Sequence, residues 1–178
     1  MRFAFFSLIV ALVVSAVPVK RNAATVETDI ANINTQVNNL NTAINTFAAS
    51  PTLVNGLAIH TGAAPLESAV NTATSDTNAS AAFTEAEGQT ILTAIQSLAT
   101  NVISTLSNLD GQHAKFAALP LAGSVQLVEL DLQTLSSDTT AFENALIAKA
   151  PADLVPQANQ VVSAISAAFS TAIATYAS

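Results

Sequence analysis

Two histidines, twelve acidic residues and no cysteine are what this 178-residue chain offers for chemistry. The absence of Cys excludes a nucleophilic thiol and every cysteine-ligated metal site. His60 in "LAIHTG" and His113 in "DGQHAK" stand alone, without an HExxH or comparable ligand spacing. His60 reads as a packed or partly exposed residue with a satisfied ring, or else as a polar contact near a pocket mouth; His113 reads as a solvated loop residue. Serines are abundant, yet none sits in the GxSxG turn that exposes a nucleophile. The carboxylate pairs Glu85/Glu87 and Glu129/Asp131 are two residues apart and point to different faces of a helix. Glu85 and Glu87 are better explained as favourable charge at a helix start. The expectation is a protein that is not an enzyme, with no cofactor and no metal.

The elements that would position any site are helices. In "VETDIANINTQVNNLNTAINTF", Val26, Ile30, Ile33, Val37, Leu40, Ile44 and Phe47 recur in steps of four and three. That 3.5-residue period puts all seven on one face. The opposite face is mostly Asn, Thr, Gln and Ala, and Asn and Thr are poor helix formers because their side chains compete for the backbone. This helix depends on what covers its stripe.

Four further helices follow. The first, about 23–48, stops at "ASP", where Pro51 pushes Ser50 out of helical geometry. The second, about 52–78, has Leu53, Leu57, His60, Ala64, Leu66, Val70 and Ala73 roughly in phase, with a kink or break expected at Gly62 and Pro65. "NASAAF" is a linker. The third opens at "TEAE", where Thr84 and Glu87 can form a capping box, and carries Ile91, Leu92, Ile95, Leu98, Val102, Leu106 and Leu109. A short helical piece covers "QHAKFAA". The fourth, about 121–149, carries Val125, Val128, Leu132, Leu135, Thr139, Phe142 and Leu146. The fifth runs to about 177 with Val161, Val162, Ile165, Phe169, Ile173 and Tyr176; Pro151 suits a first helical position and Pro156 delays the regular helix. No run alternates as a strand does. The fold class is all-α, an antiparallel bundle of about five amphipathic helices joined by short loops.

The start of the chain has a different character. "MRFAFFSLIVALVVSAVP" has a basic Arg2, an apolar run and small residues at Ser15 and Ala16, the layout of a secretory signal peptide over residues 1–17. The run is too short for a membrane span. Lys20 and Arg21 form a dibasic processing site closing a pro-segment at 18–21, so the mature domain is expected at 22–178. That processing leaves Lys115 and Lys149 against all 12 acids, a formal balance of −10. Such a chain cannot neutralise phosphates, which argues against nucleic acid and against anionic membrane surfaces. With no disulfide available, stability must come from packing. The mature chain has no transmembrane span and no visible glycolipid-anchor signal, so release, or retention in the wall by other means, is expected.

The stretches "LAIHTGAAPLESAVNTATSDTNASAAFTEAEGQTILTAIQSL" and "DLQTLSSDTTAFENALIAKAPADLVPQANQVVSAI" resemble the hydrophobic surface-binding protein A family, secreted by filamentous fungi and including the antigenic cell-wall galactomannoproteins. The combination of "TATSD", the capped "TEAE" and "ALIAKAPADLV" carries the resemblance, which spans about Ala23 to Tyr176. It implies a helical bundle that adsorbs to hydrophobic surfaces such as wax, polyester or cuticle, recruits secreted polyester hydrolases, or holds fatty acids between helices.

A helix of about 25 residues is roughly 38 Å long, so a slot between helices could hold an acyl chain lengthwise. Leu40, Leu57, Ile95, Leu132, Phe142 and Phe169 are the stripe residues expected to line it, with ordinary core packing as the competing reading of each. With two lysines left, a carboxylate head would rely on hydroxyl or amide donors. Weakly charged surfaces rich in Ala, Ser and Thr cost little to dehydrate against wax or polyester. Asn78, in the sequon "NAS", is the candidate glycosylation site, and a structural or antigenic wall mannoprotein is the alternative role.

Overall fold

In the computed structural model, which describes residues 22–177, every regular element is helical: α1 (Ala23–Ala49), α2 (Leu53–Ala79), α3 (Glu85–Asp110), α4 (His113–Ala117), α5 (Ser124–Lys149) and α6 (Val155–Tyr176). The leader and the dibasic site lie outside the described residues. α1 starts at Asn22, whose side chain accepts from the Thr25 amide at 3.0 Å, and all seven of its stripe residues are buried. α3 begins with the expected capping box: the Thr84 amide donates to Glu87 at 2.8 Å, and the Glu87 amide returns a bond to the Thr84 hydroxyl. The Thr84 hydroxyl also donates to Glu87 Oε2 at 2.8 Å, and the Thr84 amide and hydroxyl together hold the Glu87 carboxyl below its usual range.

The second helix departs from expectation twice. It passes Pro65 without a break: Pro65, and Thr61 whose carbonyl loses its helical partner there, are both exposed residues. Its packed face is also rotated: Gly56, Ile59, Ala63, Leu66, Val70 and Ala73 point inward, while Leu57 is 39% exposed. Gly56 is part of that inward face: a Cβ there would stand 3.0 Å from Leu119 Cδ1, 3.4 Å from Phe116 and 3.5 Å from Phe47, so the glycine lets these side chains pack close against α2. α2 also runs through Asn78, which is an exposed residue of the last helical turn and not a linker residue. The regular part of α6 begins at Val155, with Pro156 in its first turn and Pro151 ahead of it. α5 starts at Ser124, after Gly123 adopts φ 85°, a left-handed conformation that favours glycine.

Consecutive long helices run in opposite directions, but packing neighbours are not simply consecutive. The side contacts link α1 to α2, α2 to α5, α5 to α6, α6 to α3, and α3 back to α1. Five long helices thus close a ring. Three of its seams are parallel, as the cross-bonds show. Between α1 and α3, Asn101 donates to Asn34 at 2.8 Å, and Asn108 donates to Asn41 and Asn45, each at 2.9 Å. Between α2 and α5, His60 pairs with Asp131 and Asn71 donates to Asp138 at 3.0 Å. Between α3 and α6, the Tyr176 hydroxyl donates to the Leu109 carbonyl at 2.8 Å.

Both lysines of the described residues serve as clasps on helix ends. Lys115 donates to the Ala48 carbonyl at 2.8 Å and Lys149 to the Ser80 carbonyl at 2.9 Å, each at the carbonyl end of a neighbouring helix, where positive charge is favoured. Asparagines from the polar side of α1 therefore stitch one seam, and the two lysines close two corners. Among the described residues no helix is long and apolar enough to cross a membrane.

Candidate functional site: a slot inside the helix ring

The ring encloses an apolar cavity of about 80 Å³ to which all five long helices contribute. α1 supplies Ile33, Val37, Leu40 and Ile44; α2 supplies Ile59, Ala63, Leu66 and Val70; α6 supplies Ile165 and Phe169. α3 lends a face running from Ile95 to Leu109, and α5 one from Val128 to Glu143. The fifteen-residue advance along α5 amounts to about 22 Å. The cavity is a lengthwise slot rather than a round hole.

Five of the six stripe residues expected to line a slot come together here: Leu40, Ile95, Leu132, Phe142 and Phe169. Leu57 is not among them. It sits on the outer side of α2, because the helix turns its Gly56/Ile59/Ala63 face inward.

A second apolar cavity of about 50 Å³ lies among α3, α5 and α6 near the α5–α6 turn, lined by Phe83, Leu92, Leu146, Leu154 and Val161 among others. Ile95 and Glu143 belong to both linings and form the partition between them.

The polar atoms of the main slot are few. Thr105 comes from α3, and Asp131, Thr139 and Glu143 from α5. Asp131 is bonded through Oδ2 to His60 Nδ1 at 2.9 Å. Burial raises the Asp131 carboxyl, and the histidine only partly offsets that. His60 is thus a half-exposed, satisfied ring beside a residue that lines the slot. Glu143 is different. It is 6% exposed, its Oε1 meets no hydrogen-bond partner, and burial alone pushes its carboxyl up to about 7.

The sequence reading passed over Glu143, although a signal was present: Leu132, Leu135, Thr139, Phe142 and Glu143 share one helical face, so the acid lies in step with an apolar stripe. His113 also differs from expectation. It opens α4 with its ring set edge-on to Tyr176, centroids 5.2 Å apart, and its Nε2 is buried without a hydrogen-bond partner.

No group of three or more potential metal ligands occurs among the described residues. The arrangement offers apolar area in a long slot, with one neutral-leaning carboxyl and two hydroxyls as its unpaired polar features. Such a site is suited to holding a chain of methylenes.

Comparisons with known proteins agree with this geometry. The family model described as hydrophobic surface binding protein A matches residues 23–148, which span α1 to α5. A crystal structure of AFMP4P in complex with palmitic acid superposes with a TM-score of 0.81 at 30% identity, covering 86% of this chain and 99% of that one. Ligand binding domain 1 of the Penicillium marneffei MP1 protein, complexed with arachidonic acids, gives 0.78 at 15% identity over 86% and 98%. Domain 2 of the same protein, complexed with multiple arachidonic acids, gives 0.77 at 18% identity over 89% and 98%. These last two establish likeness of fold. No curated protein sequence matches significantly.

Proposed function

The chain belongs to the hydrophobic surface binding protein A family, and from that premise we propose that it is a secreted, non-enzymatic carrier that takes a fatty-acid-like chain into the slot of its helix ring. The observation that carries this reading is the slot itself: five helices present a continuous apolar lining, and a 30% identical relative of the same fold is known with palmitic acid. Secretion rests on the leader at residues 1–17.

The resting slot is too narrow for its cargo. An apolar cavity of about 150 Å³ admits a single benzene, and this one measures about 80 Å³. Uptake therefore requires the ring to widen, side chains such as Phe142 and Phe169 swinging aside and seams easing apart. A ring with no disulfide and with polar stitches at its seams can do so at modest cost.

Adsorption to wax, polyester or cuticle follows from the exterior. Val54, Leu57, Leu121 and Leu130 are large apolar side chains left exposed toward the α4 end of the ring. An apolar film can cover them without disturbing the core, and recruitment of a secreted polyester hydrolase to that film is the downstream role this reading assigns. Displacement of a fluorescent fatty acid, together with depletion from solution onto hydrophobic beads, tests the proposal. A protein that does neither is not this carrier.

A role as a wall mannoprotein is the second reading, favoured by one observation: Asn78 is exposed in the last turn of α2. Finding hexose on Asn78 in secreted protein, with release from walls only by detergent, would move the emphasis to that role.

A further inference from the structure

The polar chemistry of the two cavities points to a particular kind of lipid. Neither lining contains a cation. The described residues hold two lysines and no arginine, and both lysines are committed to main-chain carbonyls at helix ends. An ionised fatty acid drawn fully inside would find no counter-charge, and a buried charge without a partner is strongly disfavoured. At the partition between the cavities stands Glu143, deeply buried, with Oε1 unpartnered.

Resting on the carrier reading above, we propose that Glu143 is the polar anchor of the slot and that the ligand it fits is an uncharged ester with an apolar arm on either side of its carbonyl. The neutral carboxyl donates its O–H to the ester carbonyl. One arm runs up the main slot past Leu132 and Leu98; the other enters the smaller cavity toward Leu146 and Leu154. A free acid, whose polar group is terminal, can use the anchor only when protonated and leaves one cavity unfilled.

The surroundings keep Glu143 neutral under mildly acidic conditions. From α3 it meets Ile95, and the nearest acids of that helix, Glu85 and Glu87, cap its exposed start. On the α6 side the acid is Asp153, in the turn before the helix and beside Glu85. On α2, Asp76 lies near the same height, since Asn71–Asp138 and Ser80–Lys149 bracket the two residues. On α5 itself Asp138 is held by Asn71, Lys149 by Ser80, and Asp131, paired with His60, is about 18 Å away along the axis. No cation faces the carboxyl, and burial pushes it up to about 7.

The test compares octyl octanoate, hexadecane and palmitic acid, three ligands of equal carbon count, by displacement of a fluorescent apolar probe at about pH 5 and about pH 8. The wild-type protein should prefer the ester to hexadecane by up to about tenfold at the lower pH, the worth of one net hydrogen bond, and lose most of that preference at the higher pH. Glu143→Leu should bind hexadecane at least as well as wild type but show no ester preference. Glu143→Gln, whose amide donates at both pH values, should keep the preference and lose its pH dependence. Equal wild-type affinity for ester and hexadecane at about pH 5, or an ester preference surviving in Glu143→Leu, overturns the anchor while leaving the carrier intact. Failure to bind any of the three ligands overturns both.

Discussion

The Tyr176 hydroxyl donates to the Leu109 carbonyl at 2.8 Å, fastening the last turn of α6 to the last turn of α3. α6 is the stave that closes the ring between α3 and α5, and this buried bond is the lock at its far end. The ring's stability and its capacity to open are therefore set by a small number of identifiable contacts.

Tyr176→Phe removes the donor and leaves the Leu109 carbonyl without it. We expect a loss of about 1 kcal/mol in urea unfolding and faster amide exchange confined to the ends of α3 and α6. The hydroxyl is held protonated by burial and by Asp110 nearby, so near-ultraviolet absorbance should show no phenolate until the fold is lost.

Phe142 and Leu57 were both expected as lining, and the ring separates them. Phe142→Ala empties volume beside the slot and should cost about 3 to 5 kcal/mol, with altered affinity for a fluorescent fatty acid. Leu57→Ala should change stability by less than about 0.5 kcal/mol and leave fatty-acid binding unchanged, while weakening adsorption to hydrophobic beads. An equal effect of the two on fatty-acid binding would contradict the placement of α2.

Glu143 makes stability fall with rising pH. A carboxyl titrating near 4.5 when unfolded and near 7 when folded binds more protons in the native state across that interval. Its neutral form is accommodated below about 4.5; the penalty for ionising it grows as pH rises towards 7 and is complete above. The contribution is up to about 3 kcal/mol. Glu143→Leu should remove this slope from the stability–pH profile and raise the melting temperature most at about pH 8. Coincident slopes in mutant and wild type would refute the assignment.

Gly88 lies where the chain enters α6. A Cβ there would stand 2.7 Å from Pro151 Cδ and 2.9 Å from Leu154 Cδ1. A proline ring cannot swing aside as a long side chain can. Gly88→Ala should therefore destabilise by about 1 to 3 kcal/mol despite alanine's better helix propensity, and should distort the smaller cavity first.

Much of the architecture was legible in the sequence because it is written locally. The seven-residue stripe of α1, the Thr84–Glu87 capping box and the stop at Pro51 each depend on residues within a turn or two, and each appears as read. Five of the six expected lining residues meet because an unbroken 3.5-residue stripe allows only one inward face.

Where a helix offers two apolar faces, periodicity could not choose. α2 is rich in alanine, and the choice between the Leu57 face and the Ile59 face fell to its packing on α1 and α5, with Phe116 and Leu119 closing against Gly56. The ring order, with its parallel seams, was equally out of reach, since it follows from long-range bonds such as Asn101–Asn34 and His60–Asp131. The same is true of Glu143. One-dimensional spacing put an acid in an apolar stripe, but only the closing of α3 and α6 over it made that acid buried, unpartnered and shared by two cavities. Sequence determined which surfaces of this protein must be covered. Tertiary structure decided what covers them, because burial and counter-charge are properties of neighbours brought together from distant parts of the chain.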